Sequence, residues 1–221
     1  MDLDGGTLTI GDNSLADLKM TSGTVDINGG TLTIKDQINI IDGTFTQSGG
    51  TVNVCDHNAA LGGSSADKFS ILAGTINMTG GNLNLRGQSS SSYDAMYIPA
   101  TGVTVNSTTS HTITVQPNNT DDEDMYLNLN GNDVGNLVLN MNQSSEKVYL
   151  LSDVNVLGTL TVSTQELAIE DENITVAGAS DINGTLTITT GKYDANGAFD
   201  ATGGNVTFSG AGRLELGGTV T

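Results

Sequence analysis

The chain has no tryptophan, a single cysteine, two prolines and only 7 lysines and arginines in 221 residues. Aromatic residues make up 4% of it. No large aromatic core can be built from that stock, so the interior has to be stacks of Val, Ile and Leu. The lone Cys55 excludes an intrachain disulfide. It follows the strand-like Val52–Val54, with only His57 nearby, and reads as an inert thiol rather than a nucleophile. Scarce proline, at Pro99 and Pro117 alone, fits a chain in which nearly every segment donates to a β-ladder.

The bases Lys19, Lys35, Lys68, Arg86, Lys147, Lys192 and Arg213 are scattered and form no patch, against 25 acids and a net charge of −18. A field of that sign repels phosphate, so no nucleic acid is expected as a partner. The same charge keeps a repetitive β protein soluble and discourages pairing of strand edges. No apolar run is long enough to span a bilayer, so membrane insertion is not expected. No leader-like segment is read in the first residues.

What is present is a phrase: glycine, then threonine alternating with an apolar residue. It reads Gly6-Thr7-Leu8-Thr9-Ile10, Gly30-Thr31-Leu32-Thr33-Ile34, Gly50-Thr51-Val52-Asn53-Val54 and Gly81-Asn82-Leu83-Asn84-Leu85. It returns as Gly158-Thr159-Leu160-Thr161-Val162 and Gly184-Thr185-Leu186-Thr187-Ile188. A period of two marks a half-buried strand, with Leu32 and Ile34 facing one way and Thr31 and Thr33 the other. The leading glycine, often doubled as at Gly29-Gly30 and Gly49-Gly50, marks a corner that needs positive φ or close backbone approach.

Spacing turns the phrase into an architecture. Gly23, Gly43 and Gly74 each begin one strand, and Gly30, Gly50 and Gly81 begin another at a constant offset from the first. The interval from Gly43 to Gly74 is longer than that from Gly23 to Gly43, which places an insertion at roughly Asp56 to Lys68. Gln37–Ile40 supplies a third strand. Three short strands per turn of about 20 residues predict an all-β fold, a parallel β-helix or β-solenoid. An antiparallel sandwich also has short strands and glycine-rich turns, but its strands do not normally repeat one another. Residues Ser64 to Leu72 are the best helical candidate, and a short one.

One solenoid is expected over 1–221, with regular rungs at 1–87, irregular rungs with longer loops at 88–134, and regular rungs again at 135–221. The first residues lead straight into a repeat and the last stop inside one. The expectation is a segment of a longer protein or a self-stacking fibre subunit.

The last region carries a resemblance. Gly135–Asn140, Val154–Val162, Leu167–Ile169, Ile174–Gly178, Ile182–Thr187 and Gly204–Gly210 resemble the rungs of large secreted, adhesin-like β-helix proteins of the Bacteroidota cell surface. The first region is similar, more loosely, to filamentous-haemagglutinin-type and autotransporter β-helices. The resemblance implies an extracellular, non-catalytic rod or fibre. Its partners would be a surface receptor, a glycan, or other copies of itself in a head-to-tail homopolymer.

Parallel β-helices also house polysaccharide lyases and glycosidases, so polysaccharide binding or cleavage is the alternative. No base lies near an acidic cluster in a repeated register, as a lyase would need, and no feature selects a carboxylate pair. His57 and His111 are isolated, have no metal-ligand spacing, and each reads as a surface-loop histidine. The acidic loop Asp121, Asp122, Glu123 and Asp124 is the candidate calcium site, because Ca²⁺ takes several hard oxygen ligands. The same letters also read as a solvated loop. Outward Thr-x-Thr pairs stacked rung on rung would form a flat threonine face suited to ice binding, a further alternative that Asn53, Asn77, Asn82 and Asn84 interrupt.

Overall fold

The computed structural model describes residues 1–11, 16–55, 68–87, 93–117, 124–143 and 145–221. Among them lie 28 strands, all pairings between them are parallel, and no helix occurs. The order of pairing is cyclic: with one break on the first face, each strand bonds to the strand three places on, so the chain visits three faces in turn. This is the parallel β-helix expected from the spacing.

The first face is a five-stranded sheet from Asp2–Leu3 to Val103–Ser107, followed by a second five-stranded sheet from Asp133–Val134 to Arg213–Leu216. The second face is one nine-stranded sheet from Thr7–Ile10 to Phe199–Asp200. The third is another nine-stranded sheet from Leu18–Met20 to Asn205–Phe208. Nine stacked strands make eight steps, so the rod is about 40 Å long at about 4.8 Å per step.

Rung length varies. Thr24 pairs with Thr44, and Thr44 in turn pairs with Thr75, so the second of these rungs is much the longer. The register of the flanking strands is kept across the longer rung. Phe69–Ile71, within the short stretch Ser64 to Leu72 that is the best helical candidate in the sequence, is a strand of the third face; residues 64–67 lie outside the described residues. Ladder pairing overrides the local preference: Phe69, Ser70 and Ile71 pair in register with Ile38, Asn39 and Ile40, and Phe69 is wholly buried.

The core is a set of aliphatic columns. Leu32, Val52, Leu83, Ile113, Leu137 and Leu160 stack on one another in the second face and are all buried. Each such side chain, removed from water, contributes about 1.5–3 kcal/mol. Glycine corners permit this stacking. Gly50 has φ +65, and a Cβ there would lie 2.6 Å from the Gly30 carbonyl oxygen of the rung before. Only glycine satisfies both the left-handed backbone and the close approach.

Candidate functional site

With the interior largely apolar, the accessible polar groups of this protein lie on its outer faces and at its corners. Three places carry polar or aromatic groups in a built arrangement.

The second face displays the threonine phrase. Thr7, Thr31, Thr51, Asn82, Thr112 and Asn136 form one outward row in register. Thr9, Thr33, Asn53, Asn84 and Thr114 form a second, which continues as Val138, Thr161 and Asp181. The asparagines extend this order. Asn84 Nδ2 donates to Asn53 Oδ1 at 2.8 Å, and Asn53 Nδ2 donates to Thr33 Oγ1 at 3.4 Å. On the first face Asn106 donates to Asn77 at 2.8 Å, and Asn77 to Thr46 at 3.0 Å. These ladders run along the rod axis, and Thr33, expected to be solvated, is buried beneath Asn53.

The third face carries the accessible aromatics. Tyr126 and Tyr149 occupy the same column on successive rungs. Their rings are stacked, with centroids 5.2 Å apart and planes within 11°. Small residues bound the pair along the rod. Ala95 N donates to Tyr126 O on one side, and Tyr149 pairs with Ala168 on the other. Beside the rings Lys147 Nζ lies 3.0 Å from Glu166 Oε2, and that bond raises the ammonium pKa. Burial, and then the nearby Asp124 and Glu170 carboxylates, push both phenol pKa values up. Tyr97 projects from the rung before, in register with Asn128, and Tyr93 is exposed a few residues earlier.

Leu151, two residues beyond Tyr149, belongs also to a corner cleft of about 380 Å³. The cleft is lined by Asn130, Gly131, Leu151, Ser152, Asp153 and Glu172. Ser152 Oγ accepts the backbone N–H groups of Leu129 at 2.8 Å and Asn130 at 2.7 Å, which secures the left-handed Asn130 (φ 50). Asp153 Oδ1 accepts from Asn173 N at 2.8 Å and from Asn173 Nδ2 at 3.0 Å. Burial, the charges of Asp171 and Asp153, and a hydrogen bond with Asp153 raise the Glu172 pKa.

The residues singled out in the sequence fall elsewhere. Asp121, Asp122 and Glu123 of the calcium run, and His57, lie outside the described residues. Asp124 Oδ1 accepts the backbone N–H of Lys147 at 2.8 Å. Among the described residues no three His, Cys, Asp or Glu side chains converge to hold a metal. Cys55 is a buried thiol at a left-handed corner (φ 60). His111 is not the surface-loop residue expected but is wholly buried: it opens the strand His111–Val115 with its side chain inward.

The sequence alone announces neither the tyrosine pair nor the cleft. Their members are spread between residues 97 and 172, and only the rung register brings them together. One signal exists, since four of the five tyrosines lie between Tyr93 and Tyr149.

Comparison with protein-family models, with curated proteins and with solved structures finds no match in any of the three.

Proposed function

We infer that this chain is a rigid structural or adhesive β-solenoid rod that works at a bacterial cell surface. The observation that carries the reading is the pair of nine-stranded parallel sheets that run the length of the molecule around one continuous aliphatic core. A solenoid of this kind is stiff along its axis, because successive rungs are bonded through two unbroken faces and, except at one break, through the third. It offers regular faces along which contacts repeat. Its role is to hold surfaces apart or together, not to catalyse.

Two partners fit. One is another copy of the chain. Half-buried Leu3, Leu8 and Ile10 at one end, and exposed Phe208, Leu216 and Val220 at the other, present apolar edges on which a further rung can stack. The other is a surface receptor or glycan on an outer face. Sedimentation velocity at rising protein concentration, followed by electron microscopy, tests the self-stacking half. Filaments of one chain's width are the expected result, and a strictly monomeric species at millimolar concentration overturns it.

The in-register threonine rows of the second face favour a second reading, ice binding. Thermal hysteresis at 0.1–1 mM protein tests it, and its absence sinks it.

A further inference from the structure

We propose that the Tyr126–Tyr149 ridge and the adjoining corner cleft form one binding site for an amine-bearing glycan, a polymer of glucosamine type. The proposal rests on the adhesive half of the proposed function and is independent of self-stacking.

Among the described residues, accessible tyrosine rings occur only on this stretch of the third face. Tyr193 is wholly buried, Phe45, Phe69 and Phe199 lie in the core, and exposed Phe208 belongs to the last rung of that face. The stacked, half-buried rings lie between the shorter, buried Ala95 and Ala168, so they are the outermost apolar groups of their column. A sugar ring has a flat apolar face that can pack against such a ridge, and Leu151 extends the apolar surface from Tyr149 into the cleft.

Apart from the Ser152 hydroxyl, whose oxygen already accepts two backbone N–H groups, the side chains of the cleft present acceptors. Both amide hydrogens of Asn130 are committed, to Ile98 O at 2.8 Å and to Asn128 Oδ1 at 3.0 Å. Asp153 and Glu172 are carboxylates, and no lysine or arginine lines the cleft. The ligand must therefore supply donors. Hydroxyls do so, and an ammonium does so with complementary charge.

The sign of the charge selects among sugars. Lys147 beside the rings is paired with Glu166, which leaves Asp124 and Glu170 as the nearby carboxylates in excess, and the whole chain carries −18. That field repels acidic polysaccharides and concentrates cations. The negative ring faces of the tyrosines add to the preference for a cation. At the cleft Glu172 has its pKa raised by burial first and then by the Asp171 and Asp153 carboxylates, and a bound ammonium would offset the repulsive part.

A basic peptide would satisfy the charge but not the surface. Peptides that bind sheets add to an open edge, and here both tyrosine strands are paired on each side. The site is a ridge with a side cleft, which suits a chain of rings.

The test is calorimetric titration at pH 6 with hexaglucosamine, its N-acetylated counterpart, cellohexaose and hexalysine, at low and moderate salt. Tyrosine fluorescence is a second readout, undisturbed because the chain has no tryptophan. Hexaglucosamine is expected to bind at least tenfold more tightly than the two neutral hexamers. Tyr149→Ala and Glu172→Gln should each weaken it at least fivefold, and Asp42→Asn, at a corner remote from the site, should not. If Tyr149→Ala lowers the melting temperature markedly, Tyr149→Leu keeps the packing and tests the ring alone. The proposal is overturned if Tyr149→Leu binds normally, if Asp42→Asn weakens binding as much as Glu172→Gln, if cellohexaose matches hexaglucosamine, or if hexalysine binds as tightly and depends equally on Tyr149. Binding and filament formation are measured separately, so failure of one leaves the other standing.

Discussion

Gln47 and His111, far apart in sequence, meet inside the rod with Oε1 and Nε2 3.2 Å from each other. Both are wholly buried in a core otherwise made of aliphatic columns. Gln47 Nε2 donates to Asn82 O at 2.9 Å, so the glutamine is held, while His111 Nδ1 has no partner among the described residues. His111 sits where the first face ends one sheet at Val103–Ser107 and starts another at Asp133–Val134, and Gln47 reaches it from two rungs before. Here the rungs lengthen and the corner backbone needs side-chain help to stay bonded.

Acid should find this spot first. Burial lowers the His111 pKa from 6.5 to about 4. The folded protein thus holds fewer protons than the unfolded chain between those values. The stability that neutral His111 permits is full above pH 6.5 and is lost as pH falls toward 4. The loss approaches about 3 kcal/mol on the scale of 1.36 kcal/mol per pKa unit. Urea titrations from pH 7.5 to 4 should show it. A double variant, Gln47→Met with His111→Leu, should flatten that part of the profile, and an unchanged slope rejects the assignment.

Glu172 works with the opposite sign. Its raised pKa means that the folded state favours the protonated carboxyl, so its contribution is present at low pH and is lost as pH rises through the raised value. At pH 7 the charge therefore destabilises the corner. Glu172→Gln should raise the unfolding midpoint at pH 7, and the gain should fade below pH 4. Equal gains at both pH values would show that charge is not the cause.

Glycine corners separate into two costs that a pair of variants resolves. Gly6 has φ +72 and nothing within 4 Å of an added Cβ, whereas Gly50 has φ +65 and the Gly30 carbonyl oxygen 2.6 Å away. Gly6→Ala should cost about 1–2 kcal/mol, the strain of a left-handed residue. Gly50→Ala bears that strain and must also displace the neighbouring rung, so its loss should be at least twice as large. Chemical denaturation of both variants decides, and equal losses would mean that the rungs yield easily.

Much of this fold is legible in the sequence because the corner glycines and the period of two mark each strand independently of the others. The start of each strand in the first rungs, at Gly23, Gly30, Gly43 and Gly50, is a corner of the fold. The phrase does not say which face a strand joins. Gly158-Thr159-Leu160 leads into the second face, whereas Gly184-Thr185-Leu186 leads into the third, in register with Leu167. Corners without glycine are silent as well: Cys55 and Gln165 take left-handed backbone with no local signal strong enough to announce it. The tyrosine site is illegible for a related reason. Tyr126 and Tyr149 sit on different rungs, Ala95 and Ala168 lie beyond them, and rungs of unequal length hide which of these stack.

By their letters the asparagines interrupt a threonine surface, yet in the fold they are bonded parts of it. Asn53 accepts from Asn84 at 2.8 Å and donates to Thr33 at 3.4 Å. Asn53→Ala removes both bonds and leaves a half-buried amide on Asn84 unpaired, for a loss of about 1–2 kcal/mol. Asn53→Thr, which restores the residue found at the rung beneath, should lose less because its hydroxyl can still accept from Asn84. The damage should stay local, since the bonds of a rung run chiefly to its neighbours. Amide exchange at Val52, Val54, Leu83 and Leu85 should quicken, while Leu186 and Ile188, several rungs away, keep their protection. Uniform quickening along the whole rod would show that the ladder is not a rung-to-rung device and that the solenoid unfolds as one unit.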